Sequence, residues 1–250
     1  MKVIILAAGI GNRLGDKDNG KPKCLLEFGG RSLLQRQLLL LSRYPLSEIL
    51  IVTGYRRDAI TEELAKVTYE IPVRTVYNPD FRAGSVVSLW CSRDTLLSGH
   101  DIILMDADVL SDPRIMQALF GTEAENCFLL DREFEPGDEP VKLCVRDGKL
   151  IDFRKQIDQN LRFDFQGESV GFFRFSATAS AKLAKRTQSY IDNKRINEPY
   201  EEAIRDLLLA KPGEFAYADI TGLAWIEIDF PEDIERAEQE ILKKIDHQED

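Results

Sequence analysis

Histidine and paired cysteine are scarce in this 250-residue chain. Its two histidines are His100 and His247, and its four cysteines, Cys24, Cys91, Cys127 and Cys144, form no C-x-x-C pair. No zinc cluster can be assembled from such spacing, and the thiols read as reduced and mostly buried. Long apolar runs are also missing. None approaches the ~18 residues of a membrane span, and the N-terminal run is too short for a signal-peptide core and flows straight into glycines. Basic charge is in deficit, 33 Lys and Arg against 43 Asp and Glu, for a net −10. That balance argues against nucleic acid or an anionic membrane surface as the main partner. An anionic substrate would need a local cationic site plus a metal ion. The expectation is a cytoplasmic protein without an integral membrane segment. There is no Ser/Pro-rich linker and no internal repeat, so residues 1–250 read as one domain, and 250 residues suffice for a sizeable core.

What the chain does have is concentrated in its first 26 residues. Lys2-Val3-Ile4-Ile5-Leu6-Ala7 reads as a buried strand. It turns through Ala8-Gly9-Ile10-Gly11-Asn12-Arg13-Leu14-Gly15 and reaches Lys21-Pro22-Lys23-Cys24-Leu25-Leu26. A strand that empties into glycines and fixed cations suits a polyphosphate, because bare backbone N–H groups can approach closely while the cations neutralise charge. Two common glycine-loop patterns fail. The dinucleotide fingerprint needs glycine where Leu14 stands, and in the P-loop pattern Pro22 replaces the metal-binding hydroxyl.

Strand and helix patterns then alternate, which predicts an α/β fold with a mostly parallel sheet flanked by helices. Helices are expected at Ser32–Tyr44 and Asp58–Val67, and strands at Ile49–Gly54 and Pro72–Tyr77. Ser85 is positioned to cap a helix running to about Leu97. Asp101–Asp108 is a run of hydrophobes ending in two carboxylates, Asp106 and Asp108. Ligands of parallel sheets gather beyond the carboxyl ends of strands, so Asp108 should face the glycine loop. Two such carboxylates suit Mg²⁺, which takes carboxylate and phosphate oxygens. Asp112-Pro113 opens a helix. Short strands at Cys127–Arg132, Val141–Val145, Lys149–Arg154 and Ser169–Phe175, with a hairpin at Asp147-Gly148, predict a small antiparallel extension. Helices at Ala177–Asp192 and Glu198–Leu209 and strands at Phe215–Asp219 and Ala224–Ile228 follow, and the end at His247–Asp250 is expected to fray.

Leu6-Ala7-Ala8-Gly9-x-Gly11-x-Arg13-Leu14 followed by Pro22-Lys23-x-Leu25 closely resembles the signature of the sugar-phosphate nucleotidyltransferases, the NTP-transferase family. The resemblance spans almost the whole chain. It implies a Rossmann-like mixed sheet, an NTP-binding half over 1–120 and an acceptor-binding half over 121–246. It implies that Leu6, Ala7, Ala8, Gly9, Gly11, Asn12, Arg13 and Lys23 meet the triphosphate, with Arg13 and Lys23 in the catalytic roles. Gly84, Ser85 and Ser88 would lie near the nucleobase. Asp108 and Asp229 would hold Mg²⁺, with Asp106 behind them. Glu168 would bind the acceptor's hydroxyls or amine, Lys142 and Lys155 are candidates for its phosphate, and Glu201 for closing the site. Within the family the likeness is greater to cytidylyltransferases of phosphorylated alcohols, which use CTP with phosphocholine, phosphoethanolamine, inositol 1-phosphate or aminoethylphosphonate. Glu168, Glu201 and Trp225 could cage a cationic head group, and the same carboxylates suit inositol or sugar hydroxyls. Three other readings stand beside this one: a sugar-1-phosphate nucleotidyltransferase using UTP, GTP or dTTP, a non-catalytic nucleotide sensor on the same fold, and a nicotinamide oxidoreductase, which Leu14 disfavours. A homodimer is left open.

Overall fold

The computed structural model describes residues 1–11, 13–15 and 20–246. Asn12 and the His247–Asp250 end lie outside the described residues. The first strand, β1 (Lys2–Ala7), is apolar on both faces and lies in the interior of the sheet. A small hairpin of β2 (Glu27–Phe28) and β3 (Arg31–Ser32) leads into α1 (Leu33–Leu41). The Ser32 hydroxyl accepts from the Gln35 backbone N–H there and so caps the helix. Then come β4 (Glu48–Thr53), α2 (Arg57–Leu64) and β5 (Val73–Tyr77). The helix expected over 85–97 is two pieces, α3 (Ser85–Cys91) and α4 (Arg93–Leu96). Ser92 Oγ bonds back to the Leu89 carbonyl at 2.6 Å, a local bond that competes with the helical ladder. Next are β6 (Ile102–Asp106), β7 (Val109–Ser111) and α5 (Pro113–Gly121), the last capped by the Asp112 carboxylate.

The second half supplies β8 (Cys127–Asp131), β9 (Lys142–Arg146), β10 (Lys149–Arg154) and β11 (Phe165–Phe175). These are followed by α6 (Ala177–Asp192), α7 (Tyr200–Ala210), β12 (Ala216–Asp219), β13 (Trp225–Glu227), α8 (Pro231–Arg236) and α9 (Leu242–Asp246). The turn at Asp147 and Gly148 has positive φ at both residues, 51° and 69°, as the predicted two-residue hairpin requires.

One nine-stranded sheet runs through both halves, in the order β10-β9-β11-β6-β1-β4-β5, with β8 and β12 joined at the other edge of β11. β6, β1, β4 and β5 are mutually parallel. The splint is β11. Residues 172–175 pair antiparallel with β6, while residues 165–168 pair antiparallel with β9. The extension is antiparallel as expected except for β12, which lies parallel to β8. Alternation along β1 splits the core: Ile4 faces the apolar cluster shared with α3, α6 and α7, and Val3 and Ile5 face that shared with α1 and α5. Burial on both faces is why β1 and β6 read as continuous apolar runs rather than alternating ones. Among the described residues no helix is long and apolar enough to cross a membrane.

β7 and β13 form a separate two-stranded antiparallel ribbon, with Glu227 opposite Val109 and the Ile228 N–H donating to the Asp108 carbonyl at 3.0 Å. That ribbon carries the last strand back to the mouth of the parallel sheet.

Candidate active site

Parallel strands β1 and β6 end side by side, so the loops beyond Ala7 and Asp106 open into one crevice. A cleft of about 260 Å³ lies there, lined by Leu6, Ala7, Gly9, Gly11, Arg13, Lys23, Asp108 and Asp229, with Pro22, Cys24 and Ala107. Most of the residues expected at a triphosphate are thus gathered in one place. Ala8 is buried instead at the base of the turn, its carbonyl accepting from the Tyr55 N–H.

Two cations and three carboxylates meet at the floor of this cleft. Lys23 sits on a turn of 3-10 helix (Lys23–Leu25). Its Nζ lies 2.5 Å from Asp229 Oδ1 and 3.1 Å from Asp108 Oδ2. Burial alone would pull the Lys23 pKa down, but the charges of Asp108 and Asp229 outweigh it and hold the ammonium well above its usual value. Arg13 Nη1 reaches Asp229 Oδ2 at 3.3 Å and Glu139 Oε2 at 2.8 Å, and its guanidinium lies 5.3 Å from the Phe230 ring centroid.

Glu227 is the third carboxylate and escaped the sequence reading. Asp108, Glu227 and Asp229 each place one oxygen within 4.8 Å of the others. The signal was present: in Ile226-Glu227-Ile228-Asp229 the isoleucines are buried, so a period of two puts Glu227 on the face of Asp229. Desolvation of its carboxyl, then the charges of Asp108 and Asp229, raise the Glu227 pKa well above the carboxylate range. Crowded hard-oxygen donors of this kind fit Mg²⁺. Asp108, Glu227 and Asp229 are the residues that would hold it.

Asp106 is set back from the floor. Tyr200 donates its hydroxyl to Asp106 Oδ2 at 2.6 Å. Burial first, then the charges of Asp108 and Glu201, raise the Asp106 pKa well above normal. Space for that carboxylate comes from Gly171, where a Cβ would stand 2.3 Å from Asp106 Oδ2 and where φ is +78°.

The residues expected near the nucleobase also make hydrogen bonds within the protein. Ser85 does not cap its own helix. Its Oγ accepts from the Tyr200 N–H at 2.9 Å and so satisfies the first turn of α7. Ser88 is buried and accepts from Asn78 Nδ2 at 3.0 Å. Gly84 donates its N–H to the Ile196 carbonyl and packs against the backbone of 197–198. Lys142, a candidate for the acceptor's phosphate, is engaged as well. Its ammonium donates to the carbonyls of Gly137, Pro140 and Lys155 at 2.7, 3.3 and 2.7 Å and so braces a loop.

A second, larger cavity of about 670 Å³ opens beside the floor, walled by the loop 132–141, by Asp131, Glu168 and Trp225, and by Glu227 and Asp229. Glu168 and Asp131 are cross-strand neighbours on β11 and β8, and Trp225 Nε1 donates to Asp131 Oδ2 at 2.8 Å. Burial, then the charge of Asp131, push the Glu168 pKa up to about 7. Glu201 opens elsewhere, into a hollow shared with Arg154, Lys155 and Pro199, and its buried Oε2 has no hydrogen-bond partner. Lys155 Nζ meets Glu139 Oε2 at 3.1 Å.

The Glu168 shift carries a stability prediction. Its folded pKa is raised, so the folded state holds the proton more tightly than the unfolded chain does. The contribution is fully present below the unfolded value near 4.5 and is lost as pH rises through about 7. Glu168→Gln should therefore be more stable than wild type at pH 8, by roughly 1–3 kcal/mol, with the difference vanishing near pH 4. Urea midpoints at the two pH values measure it.

The sequence and the fold that carry this crevice are both similar to those of known proteins. Residues 3–155 match the MobA-like NTP transferase domain. The chain belongs to that family. It is a nucleotidyltransferase by family, and two curated relatives extend the likeness over nearly the whole chain. The CMP-5'-(3-aminopropyl)phosphonate synthase of Streptomyces rubellomurinus is 26% identical over 242 residues, covering 95% of this chain and 38% of that protein. The CTP:phosphoglutamine cytidylyltransferase of Campylobacter jejuni is 26% identical over 254 residues, covering 94% of this chain and 98% of that protein. Among solved structures, the inositol-1-phosphate CTP transferase from T. maritima superposes with a TM-score of 0.78 at 19% identity, covering 99% and 96% of the two chains. At that identity the likeness is one of fold, and it agrees with the mixed sheet flanked by helices.

Proposed function

We propose that the protein transfers CMP from CTP to a small phosphorylated or phosphonylated acceptor bearing an amine, with release of pyrophosphate. The observation that carries nucleotidyl transfer is the Lys23 ammonium held between Asp108 and Asp229 on the floor of the glycine-loop cleft. An acceptor phosphate or phosphonate oxygen attacks the α-phosphorus in line. The new P–O bond forms as the bond to the β-phosphate oxygen breaks, and pyrophosphate departs with that electron pair. No protein nucleophile is required, since positioning and charge stabilisation carry most phosphoryl-transfer catalysis. Lys23 stabilises charge on the α-phosphate, Arg13 and the loop amides orient the triphosphate, and Lys155 attracts the acceptor's anion. When bound at Asp108, Glu227 and Asp229, Mg²⁺ supplies charge neutralisation at the phosphates.

Support for CTP comes from the two curated relatives, whose names specify a CMP product and CTP. Support for an amine comes from the larger cavity. Asp131 and Glu168 are neighbours there, burial and then the Asp131 charge lift Glu168 to about 7, and the Trp225 indole is pinned beside them by its bond to Asp131. A carboxylate pair next to an indole suits an ammonium group. On this reading residues 1–120 serve the nucleotide and residues 121–246 the acceptor, within one continuous domain.

The test is pyrophosphate release with Mg²⁺, each of the four common NTPs, and acceptors matched in size with and without an amine: phosphoethanolamine, phosphocholine, aminoethylphosphonate, inositol 1-phosphate and sugar 1-phosphates. Release with CTP and amine-bearing acceptors is the expected result. Turnover with UTP, GTP or dTTP and a sugar 1-phosphate would keep the mechanism and overturn the substrate. A preference for inositol 1-phosphate would overturn the amine alone.

A further inference from the structure

Arg13 and Lys155 come from opposite sides of the site, one from the glycine loop and one just beyond β10. Both point at the same atom. Glu139 Oε2 lies 2.8 Å from Arg13 Nη1 and 3.1 Å from Lys155 Nζ. Two cations converging on one oxygen have the geometry of an anion site, and the anion here belongs to the chain itself. We propose that Glu139 is a built-in substrate mimic. Its carboxylate occupies the oxyanion site between Arg13 and Lys155 until a phosphate group displaces it, and the loop 132–141 then swings away as the lid of the larger cavity.

The placement of the loop supports this. The segment 132–141 connects β8 to β9 without regular structure, and it walls the cavity that also holds Glu168 and Trp225. Lys142 braces its base through the Gly137 and Pro140 carbonyls. On its far side Glu135 reaches Arg236 at 3.4 Å, where the Glu135 side chain is 86% exposed. The pairs that Glu139 makes are the loop's attachment to the cleft. They involve side chains that are 44–50% exposed, so they are exchangeable contacts rather than buried ones. Lys155 first and Arg13 after it hold the Glu139 carboxyl below its usual range, as a phosphate in its place would also be held ionised.

A displaced Glu139 has two effects at once. Arg13 keeps Asp229 as a partner, so it stays oriented over the floor. Loss of the latch frees the loop, so anion binding in the cleft and access to the acceptor cavity become a single event. The latch rests on the nucleotidyl-transfer reading only for the identity of the displacing phosphate.

Inorganic pyrophosphate, with no acceptor present, is the probe. Glu139→Gln is expected to bind it about three- to tenfold more tightly than wild type, the scale of one or two exposed ion pairs no longer in competition. Lys155→Met is expected to bind it more weakly. Amide hydrogen exchange at 132–141 should quicken on adding pyrophosphate to wild type, and should already be quick in free Glu139→Gln. Equal or weaker pyrophosphate binding by Glu139→Gln, exchange at 132–141 that ignores the ligand, or no pyrophosphate binding by either protein would each overturn the latch. Failure of the turnover panel with the binding difference intact would overturn the proposed substrates and leave the latch standing.

Discussion

Lys23→Ala is expected to lower kcat by roughly 10²–10³, on the scale of a deleted oxyanion donor. Its ammonium is held on the cleft floor by Asp108 and Asp229. It is therefore positioned before any substrate arrives, and it stabilises charge that grows toward the transition state. KM for CTP should change much less, because Arg13 and the loop backbone carry ground-state binding of the triphosphate. The same substitution has a separate signature in stability. Without the ammonium, the crowded Asp108, Glu227 and Asp229 lose a compensating cation, so the variant should melt lower in chelator and recover more than wild type on adding Mg²⁺. Turnover should not recover with the metal, since the lysine proton donors are gone. Steady-state kinetics and melting curves with and without Mg²⁺ separate the two effects. Near wild-type turnover would remove Lys23 from the mechanism.

Gly84→Ala should produce the largest loss of stability among single methyl additions in this region. A Cβ at that position would stand 2.2 Å from the Glu198 carbonyl oxygen and 2.4 Å from the Asn197 carbonyl carbon. The atoms it meets are backbone, and they cannot step aside by a change of rotamer. The segment they belong to is laced to α3 by three hydrogen bonds: Gly84 N–H to Ile196 O, Val86 N–H to Glu198 O, and Tyr200 N–H to Ser85 Oγ. Relief of the clash requires that lacing to open, at about 3 kcal/mol, the upper part of the overpacking range. For a chain of this size that is a Tm lower by roughly 6–12 °C. Activity should fall too, because Tyr200 follows the same segment and holds Asp106. A melting temperature within 2 °C of wild type, against that ~6–12 °C expectation, would show that the segment yields easily.

The parts of this fold that were legible in the sequence are those whose signal is local. β1 and its glycine turn, the Asp112-Pro113 helix start, the Asp147-Gly148 hairpin and the whole of α6 are set by cap chemistry, turn chemistry and apolar runs within a few residues. Arg13, Lys23 and Asp229 stood out through the family resemblance, and Asp108 also through its place at a strand end, since the crevice of a parallel sheet is a predictable place. What stayed hidden depends on partners far along the chain. Ser85 reads as the cap of its own helix, and only the approach of 196–200 turns it toward α7. Nothing local signals that Lys142 will meet three carbonyls. The strand expected from Ser169 begins earlier, and β11 runs through Gly167 from Phe165 to Phe175. Glu139 lies in a stretch with no periodicity to place it. Glu227 is the instructive miss, because the alternating isoleucines around it carried the information.

The β7–β13 ribbon also dictates when the site comes into being. During synthesis the glycine loop, Lys23 and Asp108 emerge early and can pack as soon as β6 joins β1. Asp229 and Glu227 reach them only after nearly all the rest of the fold has been made and the ribbon has zipped against Val109–Ser111. Contacts this distant in sequence are the slow ones to form. A nascent chain halted after β12 would thus expose a cationic loop that has Asp108 but still lacks Glu227 and Asp229. Divalent-metal affinity that appears only on release of the full chain would report the completion of folding.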